Sequence, residues 1–242
     1  EFKGVPILYS PWLTYPVDGR RRSGLLLPEF GSSGQRGVEV AVPYYFNLAP
    51  NYDATLTPRY MSKRGLQAQG EFRYRSGTST GVLDGEFLPD DEVTSEDRAL
   101  VHWYNQTQVS DAWRTTIDGT QVSDSAYFED LSTGLGNSSQ THLRQHVDFE
   151  YFDHTWSALL RLEAYQTIDD SLTDVERPYQ RLPQVSVAGY WPNNPLNLDY
   201  RLQSELTYFH RDTGTTGLRA NLRPQVSLPL RLGPLFVESL AA

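Results

Sequence analysis

The sequence contains no cysteine and only one methionine among its 242 residues. Disulfide bonds and thiolate metal sites are therefore excluded for this chain. It also lacks any apolar run approaching the roughly 18 residues that a membrane-spanning helix needs. Basic residues are few, with 21 Lys and Arg against 30 Asp and Glu, and the net charge of -9 argues against a nucleic-acid-binding protein.

Aromatic residues make up 12% of the chain, and those with a polar group, 15 Tyr and 5 Trp, outnumber the 10 Phe. Such side chains suit a boundary between lipid and water because one end is apolar and the other polar. The mean hydropathy of -0.51 is nevertheless low for a membrane protein. A transmembrane β-barrel reconciles the two observations, since only alternate residues of each strand face lipid.

Apolar and polar residues alternate along segments of about ten residues, the length of a tilted strand that crosses a bilayer. In Leu66–Arg75, Phe72 and Tyr74 share one parity, whereas Glu71 and Arg73 share the other. The same period of two recurs in segments 51–62, 143–151, 198–208 and 218–228. The sequence therefore predicts an all-β, antiparallel transmembrane β-barrel, present here as about eleven strands of a larger barrel.

The links between these segments differ in length. Asn47–Asn51 and Ser62–Gly65 are short, whereas Leu88–Arg98, Val122–Thr141 and Ile168–Arg181 are longer and rich in Asp, Ser, Thr and Gly. Outer-membrane barrels have tight periplasmic turns and larger outer loops. A soluble β-sandwich would also alternate, but it seldom exposes so many Tyr, Trp and Leu on successive strands, so the barrel is favoured.

Several ordered stretches resemble the start of the barrel in the LptD family of lipopolysaccharide-assembly proteins. They are Gly4–Trp12, Arg20–Pro28, Val42–Met61, Arg64–Gly65, Glu71–Tyr74 and Val122–Phe128. The match is specific over about the first third of the chain and is a general β-barrel pattern beyond it.

The resemblance implies a fold, a function and partners. Family members join a periplasmic β-jellyroll to a large barrel that a plug lipoprotein (LptE-like) occupies. Lipopolysaccharide arrives over a bridge of jellyroll proteins and leaves through a lateral gate between the first and last strands. We therefore expect residues 1–19 to be a hinge segment from a jellyroll outside this sequence, and residues 20–242 to form the first part of a barrel in the bacterial outer membrane. Lipopolysaccharide, the plug, the bridge proteins and membrane lipid are the expected partners, and this piece alone is expected to be inactive.

Two prolines are candidates for the lateral gate. Pro28 and Pro43 are predicted to lie inside the first two strands. Proline has no N–H to give to a ladder and is normally confined to edges and bulges. The simpler interpretation is an ordinary kink or strand end, but the resemblance favours weakened pairing at the lateral gate.

The N-terminal segment interleaves prolines with aromatic residues. By resemblance it forms the hinge that borders an acyl-chain opening, with these candidate residues: Pro6, Pro11, Trp12 and Pro16. The simpler interpretation is an aromatic anchor at the periplasmic interface, and the two interpretations are compatible with each other. Arg20, Arg21 and Arg22 are candidates for lipopolysaccharide phosphates because guanidinium pairs bidentately with phosphate, although such a run is more often a solvated turn.

The charged residues on the polar parity are expected to line a wet interior. These residues are Asp53, Arg59, Glu71, Arg73, Arg75, Asp84 and Glu86. They are expected either to contact sugar or the plug, or simply to be hydrated and to pair with one another across strands.

No catalytic or cofactor motif stands out. His142 and His146 would share a strand face, but roughly 13 Å apart, which is too far to bind one metal ion. The sequence therefore predicts neither an enzyme nor a cofactor. The alternative function is a simple outer-membrane pore or structural barrel of about twelve strands that closes on itself.

Overall fold

A computed structural model of the chain describes residues 21–132, 140–192, 198–232 and 235–241. Within these ranges it contains fifteen β-strands and one short α-helix, α1 Tyr127–Leu131, between β9 and β10. The strands are β1 Gly24–Leu25, β2 Glu29–Ser33, β3 Gly37–Ala41, β4 Tyr44–Ala49, β5 Tyr52–Met61, β6 Gly65–Arg75, β7 Ser79–Leu88, β8 Arg98–Gln108, β9 Trp113–Val122, β10 His142–Phe152, β11 Trp156–Thr167, β12 Gln180–Trp191, β13 Asp199–His210, β14 Gly217–Leu232 and β15 Leu235–Ala241.

All the strands join one antiparallel sheet. From β4 to β15 each strand pairs with the next along the chain, while β1 pairs with β4, and β3 pairs with both β2 and β5. No pairing joins the β1–β2 edge to β15 within the described ranges, so this part of the sheet is open. None of the described helices is long and apolar enough to span a membrane. The antiparallel all-β prediction is confirmed.

The structure has more strands than the expected number of about eleven, and division of each of the first two strands accounts for two of the additional ones. β1 pairs with β4, and β2 pairs with β3. β3 and the first part of β4 pair with β5 in one register, which shifts only between Phe46 and Ala49. Ala41 opposes Arg59, and Tyr44 opposes Leu56. The undivided strands β5–β15 are themselves eleven in number.

The register of β5 and β6 separates two faces as the alternation predicts. Asp53 opposes Arg73 on one face, and Ala54 opposes Phe72 on the other. We call the face of Asp53 the inner face and the face of Phe72 the outer face. Successive registers carry this division across the sheet, because residues directly opposite one another point to the same side.

Between β6 and β12 the connections alternate in length. The short ones, 76–78, 109–112 and 153–155, lie at one end of the sheet, which we call the turn end. The longer ones, 89–97, 123–141 and 168–179, lie at the opposite end, the loop end. This confirms the expected long links. The 62–64 turn is short although it also lies at the loop end.

Candidate functional site

Both prolines singled out from the sequence lie in the interruptions of the divided strands. Pro28 immediately precedes β2, and Pro43 immediately precedes β4. Their predicted position inside regular strands is therefore wrong, because the preceding strands end at Leu25 and Ala41. Each proline lacks the N–H that a regular ladder step uses, and the pairing of the first two strands is interrupted where they lie.

The backbone hydrogen bonds around the second interruption are one-sided. The Leu26 N–H donates to the Pro43 carbonyl at 2.9 Å, and the Val42 N–H donates to the Pro58 carbonyl at 3.1 Å. A regular antiparallel ladder would exchange two bonds at each of these pairs, but Pro43 and Pro58 have no N–H to return. Two neighbouring ladder steps are thereby weakened. Pro58 was not among the gate residues predicted from the sequence, although a proline within an alternating segment was a visible signal.

The interruption also shifts the register of the first two strands. Leu25 opposes Tyr44, whereas Glu29 opposes Ala41. Three residues of the first strand therefore face two of the second. An extra residue on one strand is the arrangement of a β-bulge, which bends the strand and disrupts its pairing locally.

The predicted hinge residues and the first arginine of the following run lie outside the described residues: Pro6, Pro11, Trp12, Pro16 and Arg20. Arg21 forms an ion pair with Asp53 at 2.7 Å and donates to the Pro50 carbonyl at 2.9 Å. Arg22 is exposed. The structure thus brings Arg21 to a carboxylate of the sheet, at the turn end.

Charged side chains of the inner face pair across neighbouring strands. Asp53 accepts hydrogen bonds from Arg73 at 2.8 Å and from the Tyr45 hydroxyl at 3.0 Å. Farther along the sheet the ion pairs are Arg114–Glu150 at 2.7 Å, Arg161–Asp148 at 2.6 Å, Arg144–Glu163 at 2.5 Å and Arg219–Glu205 at 2.7 Å. Much of the charge on this face is therefore already balanced within the sheet.

Aromatic pairs occupy the turn end of the sheet. Trp113 and Tyr151 have ring centroids 5.0 Å apart, and Trp156 and Trp191 meet edge to face at 4.8 Å. Gly189 makes room for the second pair, because a Cβ there would lie 2.4 Å from Trp191 and 3.1 Å from Trp156. Aromatic side chains at this level match the interfacial belts of membrane barrels.

Residues 123–132, the described first part of the connection between β9 and β10, fold against the inner face at the loop end, and we call them the inward loop. The helix α1 in this loop has three buried side chains, which are Tyr127, Phe128 and Leu131. They share an apolar cluster with the following residues: Met61, Leu88, Leu100, Val122, Leu143 and Ile168. Sequence analysis expected only a long link here, because a helix of five residues is too short to show a helical period.

Buried ion pairs fix the inward loop to the sheet. Arg98 is only 2% exposed and contacts Asp91 at 3.1 Å, Asp130 at 2.8 Å and Asp124 at 2.6 Å. Arg64 contacts Asp91 at 2.9 Å and Asp130 at 2.8 Å. Two guanidiniums therefore share three carboxylates, which compensates for much of the cost of burying these charges.

The inward loop also reaches the divided strands. Arg36, between β2 and β3, donates to the Ser132 carbonyl at 2.6 Å. Arg59 donates to the Leu131 carbonyl at 2.9 Å. Both guanidiniums also hydrogen-bond the Glu39 carboxylate. The hairpin at the open edge is thus joined to the inward loop by side chains.

The carboxylates of this network have low pKa values. Burial by itself raises the pKa of Asp91, but the Val93 N–H and the guanidiniums of Arg64 and Arg98 outweigh it and hold the pKa below its usual value. Burial likewise raises the pKa of Asp124, and Arg98 in particular lowers it further than burial raises it. Both groups are therefore ionised at neutral pH.

The histidines form no metal centre in the described part of the chain, where no group of three His, Asp or Glu side chains is arranged to hold a metal ion. His142 and His146 lie on the same strand, β10. His102 is instead paired with Asp84 at 2.7 Å on the inner face.

Comparison with known proteins gives matches over most of the chain. The family model "LPS transport system D" (LptD) matches residues 96–242, and the model "LptD protein" matches residues 1–79. LPS-assembly protein LptD of Nitrosococcus oceani is 41% identical over 97% of this chain and 32% of its own length. The proteins of the same name from Pseudomonas aeruginosa strain UCBPP-PA14 and Acinetobacter baumannii are 37% and 39% identical, over 94% and 86% of this chain and 28% and 26% of their own lengths. The chain thus spans about a third of the length of such relatives.

Proposed function

The chain belongs to the LptD family, and we propose that it acts as part of an outer-membrane translocon that passes lipopolysaccharide through a barrel and a lateral gate into the outer leaflet. The observation that carries this proposal is the pair of divided strands at the open edge of a sheet from this family. The chain alone is expected to be inactive, since it spans about a third of the length of its relatives.

The two-faced sheet supports the barrel part of the proposal. Its outer face exposes apolar side chains on successive strands, including Leu56, Phe72, Leu83 and Trp103, whereas its inner face carries paired charges. Unpaired strand edges are costly in lipid, where no water replaces the missing hydrogen bonds. We therefore expect strands beyond those described to close the barrel. A self-closing pore of about twelve strands would instead require the open edge at β1 and β2 to pair with β15, the last strand of the sheet.

The gate is proposed to open beside Pro28 and Pro43. These residues interrupt the first two strands, and the Leu26–Pro43 step has one backbone bond where a regular step has two. Opening an edge costs less where the ladder behind it is already broken and bent. The prolines would then allow the first strands to yield while the rest of the barrel stays paired.

Further parts of the translocon are proposed from the family. Residues 1–19 would form the hinge to a periplasmic jellyroll, with the acyl-chain opening beside Pro6, Pro11, Trp12 and Pro16. A plug lipoprotein would sit against the inner face, and jellyroll bridge proteins would deliver lipopolysaccharide. Arg20, Arg21 and Arg22 would meet its phosphates. We propose transport, without a catalytic step.

The gate can be tested in the full-length protein by replacing Pro28 and Pro43 with alanine, which can donate to the ladder. We expect slower delivery of lipopolysaccharide to the cell surface in the double variant, measured by labelling surface lipopolysaccharide. Pro178→Ala is the matched control, because Pro178 lies in a connection at the loop end. Unchanged delivery in the double variant would show that these prolines do not set the gate.

A further inference from the structure

We propose that the outer face carries a binding groove for one acyl chain of a lipopolysaccharide molecule resident in the outer leaflet. The groove lies across β8–β12, away from the open edge at β1 and β2. It requires that the outer face meets lipid and that the loop end lies on the outer side of the membrane, and it does not depend on the transport proposed above.

Small residues between large ones create the groove. Gly119 and Ala164 leave its floor low, while Trp103 forms one wall and Leu162 and Leu182 the other. The resulting depression has a volume of about 350 Å³, within the range of small-ligand sites of about 300–1,000 Å³. The atoms nearest to a Cβ added at Gly119 belong to Gln145, at 3.4 Å and beyond, so the glycine leaves the floor lower there than a larger residue would.

The strand registers place the groove on the outer face. Gly119 opposes Trp103 on one side and Gln145 on the other, and Gln145 in turn opposes Ala164. Opposed residues point to the same side of a sheet, so these four share one face. Trp103 also opposes Leu83, an exposed residue of the outer face. The groove therefore opens toward lipid.

The groove ends in amide groups where the sheet splits. Pairing between β9 and β10 stops at Gly119 and Gln145. Beyond that step, side chains replace the ladder. The Gln145 amide donates to the Thr120 carbonyl at 3.1 Å, and the Gln166 amide both donates to the Val122 carbonyl at 2.7 Å and accepts from its N–H at 3.0 Å. An apolar channel that ends in amides matches a ligand with an apolar chain and a polar carbonyl at one end.

The position of the groove identifies the leaflet. Val101, one of its lining residues, is near the loop-end terminus of β8, and the exposed Gln121 is near the loop-end terminus of β9. Longer loops mark the outer side of such barrels, so the groove lies in the outer half of the bilayer. The acylated lipid available there in a Gram-negative outer membrane is lipopolysaccharide, and the Gln121 amide is placed to bond its acyl carbonyls.

A fixed groove should hold its chain longer than the flat surface around it. An acyl chain in the depression has protein atoms on three sides, and each contact adds dispersion attraction that a flat wall does not supply. Trp103 contributes a large rigid surface to this contact. Filling the groove also covers the split between β9 and β10 from the lipid side.

The first test compares retained lipid in full-length protein purified from outer membranes and washed with detergent. Gly119→Leu fills the floor of the groove, and Ala220→Leu is the control, because Ala220 is exposed on the outer face but outside the groove. Native mass spectrometry should show at least tenfold less bound lipopolysaccharide in Gly119→Leu and no change in Ala220→Leu. Equal retention in the wild type and Gly119→Leu would overturn the proposal.

The second test does not depend on the folding of a space-filling variant. A photo-reactive phenylalanine analogue replaces Leu182 in the groove or Leu206 on the outer face outside it. We expect several times more cross-linked lipopolysaccharide from position 182 than from position 206. Equal yields would mean ordinary contact with the leaflet, and a cross-linked phospholipid at position 182 would refute lipopolysaccharide as the occupant. Delivery of lipopolysaccharide in Gly119→Leu should equal that of the wild type, so failure of the groove and failure of the transport proposal are distinguishable.

Discussion

Replacing Arg98 with methionine should release the inward loop from the sheet. Arg98 is 2% exposed and forms ion pairs with Asp91, Asp124 and Asp130. Removing one partner of a buried ion pair costs about 3–5 kcal/mol, because the remaining charge is left buried. Arg64 stays in contact with Asp91 and Asp130, so we expect the lower limit of about 3 kcal/mol. Asp124 would keep the Ser123 hydroxyl, 2.8 Å away, in place of the guanidinium.

The assay is amide hydrogen exchange of residues 124–132 in the full-length protein. A decrease of about 3 kcal/mol in the free energy of local opening of the loop accelerates amide exchange there roughly a hundredfold. The control is Arg219→Met, which removes an ion pair to Glu205 from an arginine side chain that is 63% exposed. Exposed pairs contribute about 0–1 kcal/mol, so its exchange should change little. Exchange of the loop within about threefold of wild type in Arg98→Met, or an equal rise in every strand, would refute the reasoning.

Two further predictions concern the turn end and acid pH. Gly189→Val should separate the edge-to-face pair of Trp156 and Trp191, because even a Cβ would lie 2.4 Å from Trp191. Overpacking of this kind costs about 1–3 kcal/mol of folding free energy. A melting temperature and tryptophan emission equal to those of the wild type would contradict this prediction. The pKa values of Asp91 and Asp124 are lowered from 3.8 in the folded state. The stabilisation of the folded state by these two carboxylates is therefore present above pH 3.8. It is lost as the pH falls through their lowered pKa values in the folded state. Exchange of residues 124–132, corrected for intrinsic rates, should rise only below pH 3.8, and a rise between about pH 7 and about pH 5 would show that other groups control the loop.

The period of two in the sequence was sufficient to predict the sheet and its faces. Asp53 and Arg73 were expected on one side and Phe72 on the other, and the register of β5 and β6 bears this out. Strand pairing of this kind depends on which residues alternate, and alternation is a local property of the sequence. The long links were visible for the same reason, since turn-forming residues are also local signals.

The inward loop could not be predicted from the sequence. Tyr127 and Leu131 look like ordinary loop residues until the sheet supplies Met61 and Leu88 for them to contact. Arg98, likewise, could have been a hydrated residue of the inner face. Its three carboxylates come from two different connections, and local sequence does not show which connections meet in space. The groove around Gly119 depends in the same way on residues from five strands.

The proline positions were predicted only in part, and the difference has a physical consequence. Prolines inside regular strands would weaken single ladder steps. The observed interruptions instead divide two strands and leave their loop-end halves, β2 and β3, as a short hairpin. That hairpin has three paired positions with β5, against ten between β5 and β6. Side-chain bonds such as that of Arg36 to the Ser132 carbonyl supply additional attachment. Because the backbone ladder is so short there, the position of this hairpin depends on side chains to a greater degree than that of the strands behind it.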